Sequence, residues 1–205
     1  MLAAFPVLAT VALIWLAAAV APGPDFLLLT RIALRHGRAA ALRAALGVTS
    51  GITVWGLAGF FGIHALFVAA PWLYLALKLG GGAYLVWLGL RLFGSSFRAA
   101  ADPAVPPAVR GGAFWAGLAT NLANPKAPLF TASLFAAAMP AHAPIGLGLA
   151  AVAVMAAVSA LWYGPLVLAL TTRPVGAAFV RVRRWVDRIA GAAFVGFGAR
   201  LALER

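Results

Sequence analysis

The chain has 205 residues, 64% of them hydrophobic and only 10% charged, with a mean hydropathy of +1.00. A soluble domain is about a quarter charged and under half apolar, so the composition excludes one and predicts an all-α integral membrane protein. Sixteen Lys plus Arg stand against four Asp plus Glu, a net charge of +12; that surplus suits nucleic acid, but no soluble part of the chain is left to carry a basic patch, so no nucleic-acid partner is expected. The absence of cysteine rules out disulfides and thiolate metal sites. His36, His64 and His142 lack metal-ligand spacing, so neither a metal nor a cofactor is expected.

Six spans are predicted in chain order. The first runs from Leu2 to Ala21, is interrupted at Pro22-Gly23-Pro24-Asp25, and resumes at Phe26–Leu29. No Lys or Arg precedes it, so it reads as a retained span rather than a cleaved leader. A basic stretch follows, with Arg31, Arg35, His36, Arg38 and Arg43. The second span covers Ala44–Phe61, and a short uncharged turn is expected to hold His64 and Pro71. The third covers Trp72–Leu90 and ends at Arg91. Residues 93–112 form a polar, Pro-rich loop with Arg98 and Arg110. The fourth span, Ala113–Ala138, is interrupted at Asn124-Pro125-Lys126. An uncharged turn at 139–144 leads to the fifth span, Ile145–Leu170. A loop with Arg173, Arg181, Arg183, Arg184 and Arg188 precedes the sixth, Ile189–Leu203.

The five loops alternate basic, uncharged, basic, uncharged, basic. Lys and Arg are retained on the cytoplasmic side, which predicts three cytoplasmic loops and both termini outside. A shift of 109 residues sets Gly82 on Gly191, Gly89 on Gly198 and Arg91 on Arg200. At a similar shift Pro22 meets Pro125 and Pro24 meets Pro128. Residues 1–92 and 113–205 thus read as two three-helix repeats joined by the cytoplasmic loop at 93–112. An odd number of spans per repeat forces inverted topology, the plan of many secondary transporters.

The interruptions carry the chemistry. Proline lacks an N–H and clashes with the turn before it, so Pro22, Gly23, Pro24, Pro125 and Pro128 are expected to break the first and fourth spans. Freed backbone groups survive in hydrocarbon only where they are buried in protein or line a cavity. Each break carries a charge, Asp25 in one and Lys126 in the other, and a charge at the membrane centre costs about 2.5–3.5 kcal/mol on insertion scales. Asp25 can instead cap the half-helix that begins at Phe26, and Lys126 is too far from either end of its span to snorkel. The two can pair with each other. They also complement a zwitterion, with Asn121 and Asn124 supplying further hydrogen bonds. Thr49 and Ser50 on the second span and Trp162 and Tyr163 on the fifth are weaker candidates for the cavity wall. Gly47-Val48-Thr49-Ser50-Gly51 is a GxxxG motif, suited to close helix contact within the subunit or across a homodimer.

Four segments together resemble the LysE/RhtB family of bacterial amino-acid exporters: Pro22-Gly23-Pro24-Asp25-Phe26-Leu27-Leu28 with Gly37-Arg38, Gly47 and Gly51; Leu77–Leu85 with Gly89; Asn121 with Asn124-Pro125-Lys126-Ala127 and Phe130; and the Gly191–Gly198 stretch. The resemblance covers essentially the whole chain, although Ala21 stands where the family often has a hydroxyl residue. It implies a multi-pass protein of the bacterial inner membrane that exports amino acids or close derivatives by proton antiport. Its partners would be a small-molecule substrate, protons and membrane lipid. Asp25, the only acid within a predicted span, is then the candidate for the coupling proton.

Other classes remain open at this stage. These are export or flipping of another small solute, a non-transporting scaffold or accessory subunit, and an intramembrane hydrolase. A hydrolase would need a nucleophile and base in reach of each other. Ser50 and His64, the only tempting pair, are predicted near opposite membrane faces, so no enzyme is expected.

Overall fold

The computed structural model describes residues 4–21, 23–69, 79–80, 83–87, 89–91, 93–94, 112–124, 126–140, 142–171, 185, 188–189, 191–196 and 199. Among them every regular element is helical: α1 (Ala4–Val20), α2 (Pro24–Ala69), α3 (Ala113–Leu122), α4 (Lys126–Ala138) and α5 (Ile145–Leu170). The described parts of the expected third and sixth spans are also helical. The polar loop of 93–112, the second basic loop, and Pro22, Pro71 and Pro125 lie largely or wholly outside the described residues.

α1 and α2 are separated by residues 21–23, and α3 and α4 by residues 123–125. The Ala21 N–H reaches the Ala17 carbonyl at 3.2 Å as the last bond of α1. α2 then begins at Pro24, a position where the missing proline N–H would have had no helical partner, and the Leu27 N–H closes its first turn on the Gly23 carbonyl at 3.0 Å. The second break closes differently. The Lys126 N–H donates to Asn124 Oδ1 at 3.1 Å, and the Ala127 N–H donates to the Asn124 carbonyl at 3.0 Å. Asn124 thereby caps α4. Pro128 lies in the first turn of α4, where a proline is tolerated, so it follows the break rather than making it.

Two expectations about the first half are corrected. The basic stretch after the first span is helical, not an open loop. Helix runs through Arg31, Arg35, Arg38 and Arg43 and turns only at Gly37, where φ is 76° and ψ is −176°. One glycine at positive φ makes the corner between two helical stretches. α2 also continues past Phe61 to Ala69, so the backbone at His64 is helical rather than in a turn. The fifth span matches its expected bounds.

Pro24–Gly62 and Ile145–Leu170 are each long and apolar enough to cross a membrane, and α1 is a shorter apolar helix. Leu13, Leu46, Leu129 and Leu161 lie exposed on four different helices, Leu161 by 75%. Outward-facing apolar side chains on every long helix fit a hydrocarbon solvent rather than water. Several hydroxyls are satisfied by their own helix: Ser50 donates to the Leu46 carbonyl at 2.9 Å, Thr53 to the Thr49 carbonyl at 3.0 Å and Ser133 to the Leu129 carbonyl at 2.7 Å.

Packing rests on backbone approach at small residues. α2 and α3 cross at Gly47 and Gly117. A Cβ on Gly47 would strike the Phe114 carbonyl oxygen, and one on Gly117 would strike the Ala44 carbonyl oxygen. Four residues on, Gly51 makes room for the Asn121 side chain. The GxxxG face is therefore filled within the subunit. The third- and sixth-span helices approach in the same way, with a Cβ on Gly191 falling 2.8 Å from the Gly89 carbonyl oxygen. α5 lies across α1 and α2, where Trp15 Nε1 donates to Ser159 Oγ at 2.8 Å and the Phe60 ring covers Gly148.

Without dispersion from close contact, helices in lipid have little reason to associate. Gly47→Ala is therefore expected to destabilise the fold by about 1–3 kcal/mol. Gly62→Ala, where an added Cβ meets nothing within 4 Å, should be neutral or slightly stabilising. Thermal unfolding of the two variants in one detergent checks the opposite signs.

Candidate functional site

The breaks meet at a cavity of about 130 Å³. Ala21, Gly23, Pro24 and Asp25 line it from the first break, and Asn121, Asn124, Lys126 and Ala127 line it from the second. Pro24–His36 is about 20 Å long and α3 about 15 Å at 1.5 Å per residue, so each break lies about half a bilayer thickness from the far end of its half-helix.

Asp25 lies in the first turn of α2 but does not cap it. Its Oδ2 accepts a hydrogen bond from Asn121 Nδ2 at 2.9 Å, and its Oδ1 is buried with no hydrogen-bond partner. Neither oxygen is engaged by Lys126. Asn121 is itself only 2% exposed. It reaches Asp25 because Gly51 lies behind it: a Cβ there would come within 2.6 Å of Asn121 Oδ1 and 2.9 Å of its Cβ.

Lys126 occupies the first residue of α4, and no acidic residue lies in that first turn. A cation at a helix N-terminus adds to the positive end of the dipole instead of opposing it. The second break is thus doubly positive, while the first carries a carboxylate. A cavity negative at one break and positive at the other suits an ammonium and a carboxylate on one molecule.

Of the weaker wall candidates, Tyr163 alone lines the cavity, within electrostatic reach of Asp25. Thr49, Ser50 and Trp162 do not line it. The Ser50 hydroxyl is bonded to its own helix, the Thr49 carbonyl accepts from Thr53, and Trp162 packs against the core from α5. Asn124 lines the cavity, but its side-chain oxygen is engaged in capping. Sequence reasoning missed Trp15, Ile52 and Phe194 and named Phe130 only within the family resemblance; the four form much of the wall. A weak signal for two of them existed: Trp15 lies two turns before Pro22 and Phe130 one turn after Lys126, spacings that share a helix face with the breaks.

Two broken helices that meet at a charged cavity inside an apolar bundle are the arrangement of a membrane transporter, and the Ser50 hydroxyl is bonded to its own helix. The LysE type translocator family matches residues 16–205, and the chain belongs to that family. It is 30% identical over 200 residues to the threonine efflux proteins of Salmonella typhi and of Escherichia coli strain K12, covering 96% of this chain and 97% of each relative. It is 35% identical over 191 residues to an uncharacterized membrane protein of Pseudomonas aeruginosa, covering 88% of both chains. No solved structure matches it.

A hydrogen bond to a charged group contributes about 1.5–3 kcal/mol. Asn121→Ala should therefore slow transport by about 10- to 100-fold while the protein still inserts and folds, as measured by initial rates normalised to the amount of protein in the membrane.

Proposed function

We propose that this protein is a secondary active exporter of amino acids or close derivatives across the bacterial inner membrane, driven by proton antiport. One observation carries the reading: a buried carboxylate with one unsatisfied oxygen lines a cavity bounded by two broken helices, with a cationic helix start at the second break. The efflux function named for the threonine relatives supports it.

In this reading residues 1–92 and 113–205 form inverted three-helix repeats joined by a cytoplasmic loop, and both termini lie outside. Several features support the symmetry. The breaks are of equal length. α2 packs on α3, and α5, the counterpart of α2, packs on α1, the counterpart of the fourth span. The Gly89–Gly191 approach maps, at the shift of 109 residues, onto Gly198 and Gly82, which lie outside the described residues.

Lys126 and the α4 N-terminus bind the substrate carboxylate. Asp25 binds the ammonium and the proton in alternation, so that each displaces the other. Its Oδ1 is the acceptor for both, while Asn121 holds Oδ2 in place. Rocking of the repeats then opens the cavity to each side in turn. One proton entering down the potential supplies about 2.3 kcal/mol per 100 mV, enough to export a neutral amino acid against a gradient of about 40-fold.

Transport in everted vesicles tests the roles. Asp25→Asn is expected to abolish proton-coupled transport, and full coupled transport by that variant sinks the assignment of Asp25. Lys126→Ala is expected to raise the substrate KM at least about 10-fold, the loss of one charge-assisted contact.

A further inference from the structure

The wall of the cavity is lopsided in a way that bears on what it carries. The charged groups on it are one acid and one base, Asp25 and Lys126. A zwitterionic head group uses both. A second cation on the substrate, as in lysine or arginine, would find no second acid in the described lining. A second anion would compete for the one lysine.

Away from the breaks the lining is aromatic and aliphatic. Trp15 and Phe130 have ring centroids 5.7 Å apart, and Phe130 and Phe194 have theirs 5.3 Å apart. The three rings, from α1, α4 and the sixth span, form one continuous surface, extended by Ile52 of α2. The indole is the one member of this surface with a polar atom, and that atom is already engaged: Trp15 Nε1 donates to Ser159 Oγ at 2.8 Å, and Ser159 passes its own proton to the Met155 carbonyl at 2.8 Å. Ser159 is fully buried. The aromatic side of the cavity therefore offers ring carbon and no hydrogen-bond donor. A substrate hydroxyl lodged there would lose its water partners without replacement. Tyr163, which does carry a hydroxyl, stands at the Asp25 side.

The cavity has room for an apolar side chain. A cavity of about 150 Å³ lined by apolar side chains holds a benzene molecule. The cavity here, about 130 Å³, is of comparable size but opens on one side.

We infer that the substrate is a neutral α-amino acid with an apolar side chain, whose head group lies between Asp25 and Lys126 and whose side chain lies on the Trp15–Phe130–Phe194 wall. The inference rests on the exporter reading above and deepens it. It also separates this chain from its threonine-exporting relatives, because valine and threonine have the same shape and differ by the one hydroxyl the wall cannot serve.

The test uses the full-length protein in proteoliposomes preloaded in turn with labelled L-alanine, L-valine, L-threonine and L-lysine under an imposed proton gradient. Valine efflux is expected to exceed threonine efflux by about 10- to 100-fold, the range open to a hydrophobic pocket facing an added hydroxyl, and lysine efflux by more. Ile52→Thr places a hydroxyl on the wall and should narrow the valine-to-threonine ratio by about 5-fold or more. Should that variant fail to fold, the wild-type ranking decides. Threonine or lysine efflux equal to that of valine overturns the inference and leaves the exporter reading intact. A folded protein that moves none of the four overturns both.

Discussion

A hydrogen bond 2.9 Å long from Asn121 to Asp25 joins the two halves of the site, and the surrounding structure is what allows it to form. One end is a carboxylate in the first turn of a half-helix, the other an amide near the end of a different half-helix. In hydrocarbon neither group could be left alone. Bringing them together requires α2 and α3 to cross with backbones nearly touching, which only Gly47 and Gly117 permit. It also requires Gly51, since any side chain there would occupy the space of the Asn121 amide. The GxxxG spacing therefore acts on the site as much as on packing. Its first glycine sets the helix crossing, and its second admits the residue that holds the carboxylate.

The same constraint explains the unequal chemistry of the two breaks. Each interruption strands backbone groups that need partners. At the second break Asn124 satisfies the new helix start with its own side chain. At the first break the acid in the corresponding turn makes no such bond, and its partner comes from across the gap. Asp25 is thus held by one oxygen and unsatisfied at the other. A carboxylate in that condition favours whatever can supply a hydrogen-bond donor, a proton or an ammonium. That is the property the proposed proton-coupled export needs, and it arises from withholding one interaction rather than adding one.

The aromatic wall follows from how lipid-embedded helices satisfy polar atoms. Ser133 bonds back to its own helix, and Ser159 does so while also taking the Trp15 indole. What remains facing the cavity is apolar surface, so its polarity is concentrated at the breaks. Exposed leucines on the outer faces present similar chemistry to lipid. Inside and outside differ mainly at Asp25, Asn121, Asn124, Lys126 and Tyr163.

The sequence by itself determined the class, the helical architecture and the two breaks. Hydrophobic excess, proline positions and the rarity of acids are local properties, readable without knowing which helices touch. Asp25 stood out because a charge within an apolar run is expensive wherever that run packs. Sequence also located the fifth span with its bounds, since Pro144 precedes it and its apolar run is uninterrupted by charge. It failed at Gly37, where clustered arginines suggested a loop although a single glycine suffices to turn a chain whose helices continue on both sides. Of the polar residues on the second and fifth spans, the structure brings Tyr163 to the cavity and not Thr49, Ser50 or Trp162, because a polar side chain on an apolar helix has two outlets, its own backbone or a neighbour, and periodicity does not choose between them. Only the tertiary structure decided that Asp25 is held by Asn121 and not by Lys126, that Gly51 makes room for this, and that Trp15, Phe130 and Phe194 close the far side. Those facts depend on helices that are distant in sequence approaching to within one side chain, and residue order carries no record of such distances.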